Sequence, residues 1–207
     1  MYKTENLDTY LCQGDIILNF PLDSLQTFEP KKYYKGILIL SFTCDLKNNK
    51  LEFINYCPIY TLTHRIIEFH EDLKNSENVK KEIRKRETEG QNPHDYIAGK
   101  VKGLLSMICK YQMQNIFFLK KDPIFKEECY ANLEQIYSIL KEKYEAEIKK
   151  CRVASLTNPW IEKLGFMLGF CFNRVAVEEI EKSERNSLFQ DKYQSTFYKF
   201  VDSVLND

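Results

Sequence analysis

The chain has 207 residues, of which 43% are hydrophobic and 14% aromatic, so it can bury a substantial core and wholesale disorder is excluded. Thirty basic side chains balance thirty acidic ones, which leaves no basic surplus of the kind that duplex-binding proteins carry. Seven scattered cysteines without a CxxC spacing predict free thiols in a reducing compartment, and no apolar run has the length of a bilayer span, so we expect a cytoplasmic protein.

Three apolar runs in the first third of the chain, rich in β-branched and aromatic residues, predict strands over residues 16–22, 36–42 and 51–62. In the stretch QGDIILNFPL, Gly14 permits a turn, Asp15 can bond the adjacent backbone, and Pro21 ends the strand. Between the second and third runs, Asn48-Asn49 predicts a tight hairpin turn.

The next segment is charged throughout and predicts a surface helix over residues 66–90, with Ser76 as its N-cap and Gly90 as its C-cap. Asn92-Pro93 predicts the start of another helix. The pattern leaves open whether residues 100–113 form helix or strand.

Strands are predicted again at residues 115–122 and 129–139. A closing helix is predicted from Asn158 as cap and Pro159 at its first position, with an apolar stripe formed by Ile161, Leu164, Leu168, Phe172 and Val175. A last helix carries a second stripe, which is either core or a docking face for a partner, formed by Phe189, Tyr193, Phe197, Phe200, Val201 and Val204. We therefore predict one α+β domain over 1–207, with 63–113 as a helical insertion and 158–207 as packed C-terminal helices.

The order of motifs resembles the MazF/PemK toxin family. GDIIL, then GILILS, then LEFINYCPIYT follow the order of that family's first three strands, and CYANLEQIYSI is similar to its later strand ending in Asp-Gln-Ile. NPWIEKLGFMLGFCFNRVAV stands where the family places its closing helices. The resemblance implies an SH3-like small β-barrel with packed helices, and it requires the early and late strands to share one curled sheet.

The resemblance also implies a site for metal-independent cleavage of single-stranded RNA, without a cofactor. In the family an arginine at the start of the second strand stabilises the phosphate, with help from a threonine near the third-strand Pro-Ile-Thr. Here Lys35-Gly36 replaces the expected Arg-Pro, whereas Thr61 matches with a displacement of one residue. Because a lysine lacks the planar fork of arginine, we expect a degenerate ribonuclease site.

MazF-like barrels are controlled by protein partners and often dimerise. The resemblance therefore implies a protein partner, such as an antitoxin, a protease or a sigma factor, in a prokaryotic stress or antiviral response. One similar case is the MazF-like substrate of CRISPR-associated Lon protease modules, which holds a sigma factor until it is cut. On that analogy, the charged segments 74–90 and 141–150 are predicted cleavage points.

SFTCDL (41–46) is the most unusual local stretch. Cys44 is a candidate nucleophile and Asp45 its charge partner. The alternative is structural, with Cys44 as a small buried hydrophobe and Asp45 as the cap of the following turn.

The segment KKEIRKRE offers a basic patch for phosphates or an acidic partner, made of Lys80, Lys81, Arg84, Lys85 and Arg86. Interleaved glutamates favour a solvated, salt-bridged helix instead. Lys149, Lys150 and Arg152 suggest a smaller second patch. His64 and His70 lie near acidic residues, but their spacing does not place them on one helical face, so no metal site is predicted.

Three functions follow from these observations. The first is a regulatory binding or sequestering protein with a degenerate ribonuclease site. The second is an active endoribonuclease that uses Lys35 and Thr61. The third is a thiol-dependent enzyme that uses Cys44.

Overall fold

The structure is a computed structural model that describes residues 1–20, 31–169 and 182–206. Three predicted features lie outside the described residues: the strand end at Pro21, the stripe positions Phe172 and Val175, and the FNRVAV segment. Within the described residues, contacts divide the chain into two compact units. Met1–Leu62 with Met113–Glu178 is called the sheet unit, and Thr63–Gln112 with Glu179–Asp207 is called the helical unit.

The sheet unit is built on one curled antiparallel sheet in the order β1-β8-β2-β3-β4-β6-β5, with β7 paired to β4. Its strands are β1 (Tyr2–Lys3), β2 (Asp15–Leu18), β3 (Tyr34–Ile39), β4 (Phe53–Thr61), β5 (Ile116–Leu119), β6 (Cys129–Asn132), β7 (Tyr137–Leu140) and β8 (Arg152–Leu156). The early and late strands therefore share one sheet, which confirms the expectation of a single curled sheet in a mixed α+β fold.

Three helices accompany the sheet: α1 (Thr43–Lys47), α5 (Lys141–Cys151) and α6 (Trp160–Leu168). The predicted tight turn at Asn48-Asn49 is wrong, because α1 and its C-terminal turn fill the connection between β3 and β4. The start predicted for α6 is also displaced. Pro159 is the N-cap, and the Thr157 carbonyl accepts from the Trp160 and Ile161 N–H groups in place of a cap from Asn158.

The strand predicted over 129–139 is divided into β6 and β7 by a turn. The Asn132 side chain accepts from the Glu134 N–H at 3.1 Å, and the Asn132 carbonyl accepts from the Gln135 N–H at 3.2 Å. Side-chain bonds of this kind compete with a continuous ladder. Because of this turn, β6 and β7 pair with different halves of the long strand β4.

Close approach of β2 and β3 explains the glycine in YYKGILIL. A Cβ at Gly36 would lie 2.1 Å from the Ile17 carbonyl oxygen, which no side chain tolerates. The pairing of β3 with β4 shifts register between Tyr34 and Gly36, so Lys35 lies at a β-bulge.

The helical unit contains α2 (Leu62–Asn75) from Thr63 onward, α3 (Glu77–Thr88), α4 (Pro93–Cys109), α7 (Lys182–Lys192) and α8 (Gln194–Asn206). Ser76 caps α3 by accepting from the Val79 N–H, and Asn92 caps α4, as predicted. The C-cap of α3 is Glu89 and not Gly90 as predicted; Gly90 follows it with a φ of +71°. Residues 100–109 continue α4 as helix.

The aromatic stripe of the chain's last helices is core. All six predicted members are buried, from Phe189 in α7 to Val204 in α8. They pack with α3 and α4, so these helices belong with the inserted segment and not with the sheet unit. The division into two units thus differs from the single domain predicted from the sequence.

Candidate functional site

The predicted RNA-cleaving residues lie where β3 begins and β4 ends. Lys35 Nζ forms an ion pair with Glu127 Oε1 at 3.2 Å, and both side chains are about one-third exposed. Thr61 is 2% exposed, and its hydroxyl has no hydrogen-bond partner among the described residues. A phosphate arriving from solvent would compete with Glu127 for Lys35 and would not reach the buried threonine.

Tyrosines surround this end of the sheet. The rings of Tyr34 and Tyr60 are 6.3 Å apart, the rings of Tyr60 and Tyr130 are 5.9 Å apart, and the Tyr60 hydroxyl donates to Gln135 Oε1 at 3.1 Å. Burial raises the pKa of Tyr34, with smaller contributions from Tyr56 and Tyr60, so this phenol stays protonated at neutral pH.

The short stretch KKYYK (31–35), which leads into β3, combines charge with aromatic surface. Lys31 and Lys32 are exposed, and Lys32 Nζ lies 4.5 Å from the centre of the Tyr33 ring. Two cations and an aromatic ring therefore lie side by side where β3 begins. The cluster of lysines and tyrosines at 31–35 is visible in the sequence, but the motifs used for the prediction do not include it.

Side chains of the SFTCDL stretch, just after β3, form hydrogen bonds to the segment before β2 and to β4. Ser41 Oγ accepts from the Asn55 N–H at 2.8 Å, and Thr43 Oγ1 accepts from the Gln13 N–H at 3.0 Å. Cys44 is exposed, so the prediction of a buried hydrophobe is wrong for it. Among the described residues neither a base nor a carboxylate contacts its thiol, and a nucleophile requires such an activating neighbour.

A buried ion pair fixes the start of β2 to β8. Asp15 is fully buried, and its Oδ2 accepts from Arg152 Nη1 at 2.9 Å and from the Cys12 N–H at 2.7 Å. Ser155 Oγ donates to the other carboxylate oxygen. Asp15 thus bonds the adjacent backbone, as predicted.

The same arginine also binds the loop that precedes β2. Its guanidinium donates to the carbonyls of Asp8 and Tyr10, the latter at 2.8 Å. Arg152 is therefore not part of an exposed patch with Lys149 and Lys150, which corrects that prediction.

The thiol of Cys12 lies beside this ion pair. Desolvation, followed by the charges of Asp15 and Asp8, raises the pKa of Cys12 to about 12. A thiol that stays protonated at neutral pH is a poor nucleophile. The contacts of Asp15 and Arg152 join the start of β2 to β8 and to the preceding loop.

The predicted basic patch lies on the exposed face of α3, where most of its charges are neutralised within the helix. Lys80 pairs with Glu77 at 2.8 Å, Arg86 with Glu82 at 2.9 Å, and Lys85 with Glu89 at 3.8 Å. Lys81 and Arg84 are exposed without an ion pair in the described structure. This arrangement favours the solvated-helix interpretation.

An exposed apolar surface lies on β4 and β7. Phe53 and Leu140 are directly opposite each other and are 47% and 36% exposed. The next pair on the same face, Asn55 and Ser138, is joined by a 2.6 Å hydrogen bond. Ile136, just before β7, is 51% exposed.

This surface, called the β4–β7 face, continues into an edge of the sheet. In the described residues β7 pairs with β4 alone, and its segment QIYSIL carries no charged side chain. Phe42, 58% exposed, follows Ser41, which bonds Asn55 of the same face. Folded proteins usually protect such edges with charges, so this one is suited to contact with another chain.

All three histidines of the chain lie in the helical unit. His64 is near Glu68 at 3.7 Å, His70 near Glu71 at 3.3 Å, and His94 near Asp202 at 3.2 Å. Across the described residues no group of three or more histidine, cysteine, aspartate or glutamate side chains is arranged to hold a metal ion. The described helices also include none with the length and apolar character needed to cross a bilayer.

Comparison of the sequence with protein-family models gave no match, and a search of curated proteins gave none either. The resemblance to MazF/PemK toxins therefore remains a prediction from motif order. The predicted site residues Lys35, Cys44, Asp45 and Thr61 lie in the sheet unit, whereas the predicted basic patch of α3 lies in the helical unit.

Proposed function

We propose that this protein is a regulatory binding protein with an SH3-like barrel of MazF/PemK type, which sequesters a protein partner in a prokaryotic stress or antiviral response. The observation that supports this most is the state of the two residues expected to cleave RNA. Lys35 forms an ion pair with Glu127, and the Thr61 hydroxyl is buried in the sheet unit. A scaffold with this sheet, in which the threonine is buried and the lysine is already paired, is suited to binding.

The β4–β7 face is the proposed binding surface, and its occupant is an extended segment of the partner that adds a strand beside β7. In the described residues the outer side of β7 pairs with no further strand, so it can supply main-chain hydrogen bonds, while Phe53 and Leu140 supply apolar contact for alternate side chains of the incoming strand. Because no charged side chain interrupts residues 135–140, an uncharged apolar strand fits there best.

Affinity purification from the native host tests this proposal. A tagged chain should recover a stoichiometric partner such as an antitoxin, a protease or a sigma factor. The double variant Phe53→Asn with Leu140→Asn should weaken binding by about tenfold or more, because each removes a central apolar contact. Met107→Asn is the matched control, since Met107 is 42% exposed but lies in the helical unit. Equal binding by the double variant and the control would place the contact elsewhere.

An RNA-cleavage assay tests the inactive site separately. Wild-type protein with single-stranded RNA, without added metal, should produce no cleavage above that of a Thr61→Val variant. Metal-independent cleavage that is lost in both Lys35→Ala and Thr61→Val would support an active endoribonuclease instead.

A second candidate function, binding of single-stranded RNA, is favoured by the KKYYK stretch (31–35) that leads into β3. Lys31, Lys32 and Tyr33 present two cations beside an aromatic ring. If RNA binds there, affinity for a labelled oligonucleotide should fall with salt and should be reduced in Lys32→Ala and Tyr33→Ala. Retained affinity in both variants would argue against RNA binding at the KKYYK stretch.

A further inference from the structure

Two histidines from two different helices contact α8. On α2, the His70 ring packs edge-to-face on Phe197 at 4.9 Å and on Phe200 at 5.7 Å. On α4, the His94 ring packs on Tyr198 at 4.5 Å, and its Nε2 faces Asp202. Both contacts fall within the middle turns of α8, so a change in either ring acts directly on how that helix is held.

The two nitrogens of His70 have unequal surroundings. Nδ1 faces Glu71 Oε1 at 3.3 Å, whereas Nε2 is buried and has no hydrogen-bond partner among the described residues. A neutral imidazole that donates from Nδ1 leaves only a lone pair at Nε2. Protonation would place an N–H there without an acceptor, next to two phenylalanine rings, and an unsatisfied buried donor is costly.

The charged groups acting on this imidazole come from its own helix. Glu71 favours the protonated form and Lys74 opposes it, while α8 faces the ring with Phe197 and Phe200, which carry no charge. On α8 itself, Asp202 is engaged by His94. Within the described part of α8, no carboxylate is therefore placed to compensate a charge on His70.

We propose that the contact between His70 and α8 is an acid-sensitive latch, in which protonation of the imidazole releases α8 from α2. Release would expose the side of α8 on which Phe197 and Phe200 contact His70, so the helical unit would offer this aromatic surface only in acid. This is a property of the helical unit alone and does not depend on the β4–β7 face.

The direction with pH follows from the burial of the ring. Desolvation lowers the pKa of His70 below its usual 6.5, with the hydrogen bond to Glu71 opposing in part. A histidine whose pKa is lower in the folded state contributes stability that is complete above pH 6.5. That contribution is lost as the pH falls from 6.5 through the folded-state pKa, because the unfolded or released form binds the proton more readily.

Hydrogen–deuterium exchange on the full chain tests the latch, at pH 7.5 and pH 5.5 with correction for intrinsic exchange rates. Peptides covering residues 194–206 should lose protection at pH 5.5 by more than about twofold, while peptides of β3 and β4 keep theirs. His70→Gln should remove this pH response. His94→Gln is the control on the other side of α8. His94 Nδ1 is also buried without a hydrogen-bond partner among the described residues, but Asp202 on α8 compensates a charge on this ring, so the variant should retain the response.

Three results would overturn the proposal: unchanged protection of α8 in the wild type, a full pH response in His70→Gln, or an equal loss across the sheet. If His70→Gln does not fold, NMR titration of the wild-type imidazole decides. A midpoint below 6.5 for His70 is expected, and a midpoint at or above 6.5 would exclude an acid-released latch.

Discussion

The two units contain ion pairs of the same length in opposite environments. In the sheet unit, Arg152 and Asp15 approach to 2.9 Å with side chains that are 8% and 0% exposed. In the helical unit, Arg86 and Glu82 also approach to 2.9 Å, but both side chains are about one-third exposed. The first pair joins positions that are 137 residues apart, whereas the second joins neighbouring turns of one helix.

This difference teaches that distance does not measure what an ion pair contributes. Water screens the pair on α3 and would solvate either partner if the other were removed. The buried pair has no such alternative, and its carboxylate also holds the Cys12 N–H and the Ser155 hydroxyl. We therefore expect the sheet unit to respond to single charge deletions far more strongly than the helical unit.

The largest expected effect comes from Asp15→Ala. Removal of the carboxylate leaves Arg152 buried without its counter-charge, which should cost about 4 kcal/mol of unfolding free energy. Urea unfolding followed by fluorescence of the chain's single tryptophan, Trp160 in the sheet unit, would measure this. The double variant Asp15→Leu with Arg152→Met should recover much of the loss. A loss below about 1 kcal/mol in Asp15→Ala would remove the contrast between the two pairs.

A pair of glycine substitutions should give opposite signs in the two units. Gly36→Ala places a Cβ against the Ile17 carbonyl and should destabilise the sheet unit by about 2–3 kcal/mol. Gly103 in α4 has open space where a Cβ would stand, so Gly103→Ala should stabilise the helical unit by about 0.5–1 kcal/mol. Urea titration of both variants measures the two values. Equal signs would show that the close approach of β2 and β3 relaxes freely.

Loss of a helix cap should have an intermediate effect. In Ser76→Ala the first turn of α3 loses the acceptor for the Val79 N–H, which should cost about 1 kcal/mol. Exchange protection of amides in α3, compared with those in α4, measures this loss. Ser76→Asp is the control, because aspartate also caps and should retain the protection.

The smallest expected effect comes from Glu82→Gln. This change removes the 2.9 Å ion pair with Arg86 but leaves both positions solvated, so the loss should be about 0.5 kcal/mol or less. The urea midpoint and its dependence on salt would measure it. A loss as large as that of Asp15→Ala would contradict the comparison from the side of the helical unit.

Local patterns predicted most of the strands and two of the helix caps. Apolar runs located β2, β3 and β4, and the residues Ser76 and Asn92 located two helix starts, because these signals lie within one element. The turn at Asn132 was missed because apolar residues continue on both sides of it, so periodicity alone does not show the break.

Long-range contacts could not be predicted in this way. Nothing near Arg152 in the sequence indicates that its partner is Asp15, and a lysine-rich neighbourhood suggested an exposed patch instead. Thr61 is likewise buried, and Lys35 forms its ion pair with Glu127, only because the fold brings β3, β4 and the segment before β6 together. The candidate site was therefore predicted by residue identity, and its geometry came only from the fold.

The discontinuity of the helical unit has a consequence for synthesis in the cell. Segments α2 to α4 leave the ribosome long before α8 is translated, and the buried faces of α3 and α4 that α8 covers must wait for it. Nascent chains at that stage expose apolar surface that attracts chaperones and promotes misassembly. Ribosome pausing within the intervening residues would prolong this interval and lower the yield of native protein.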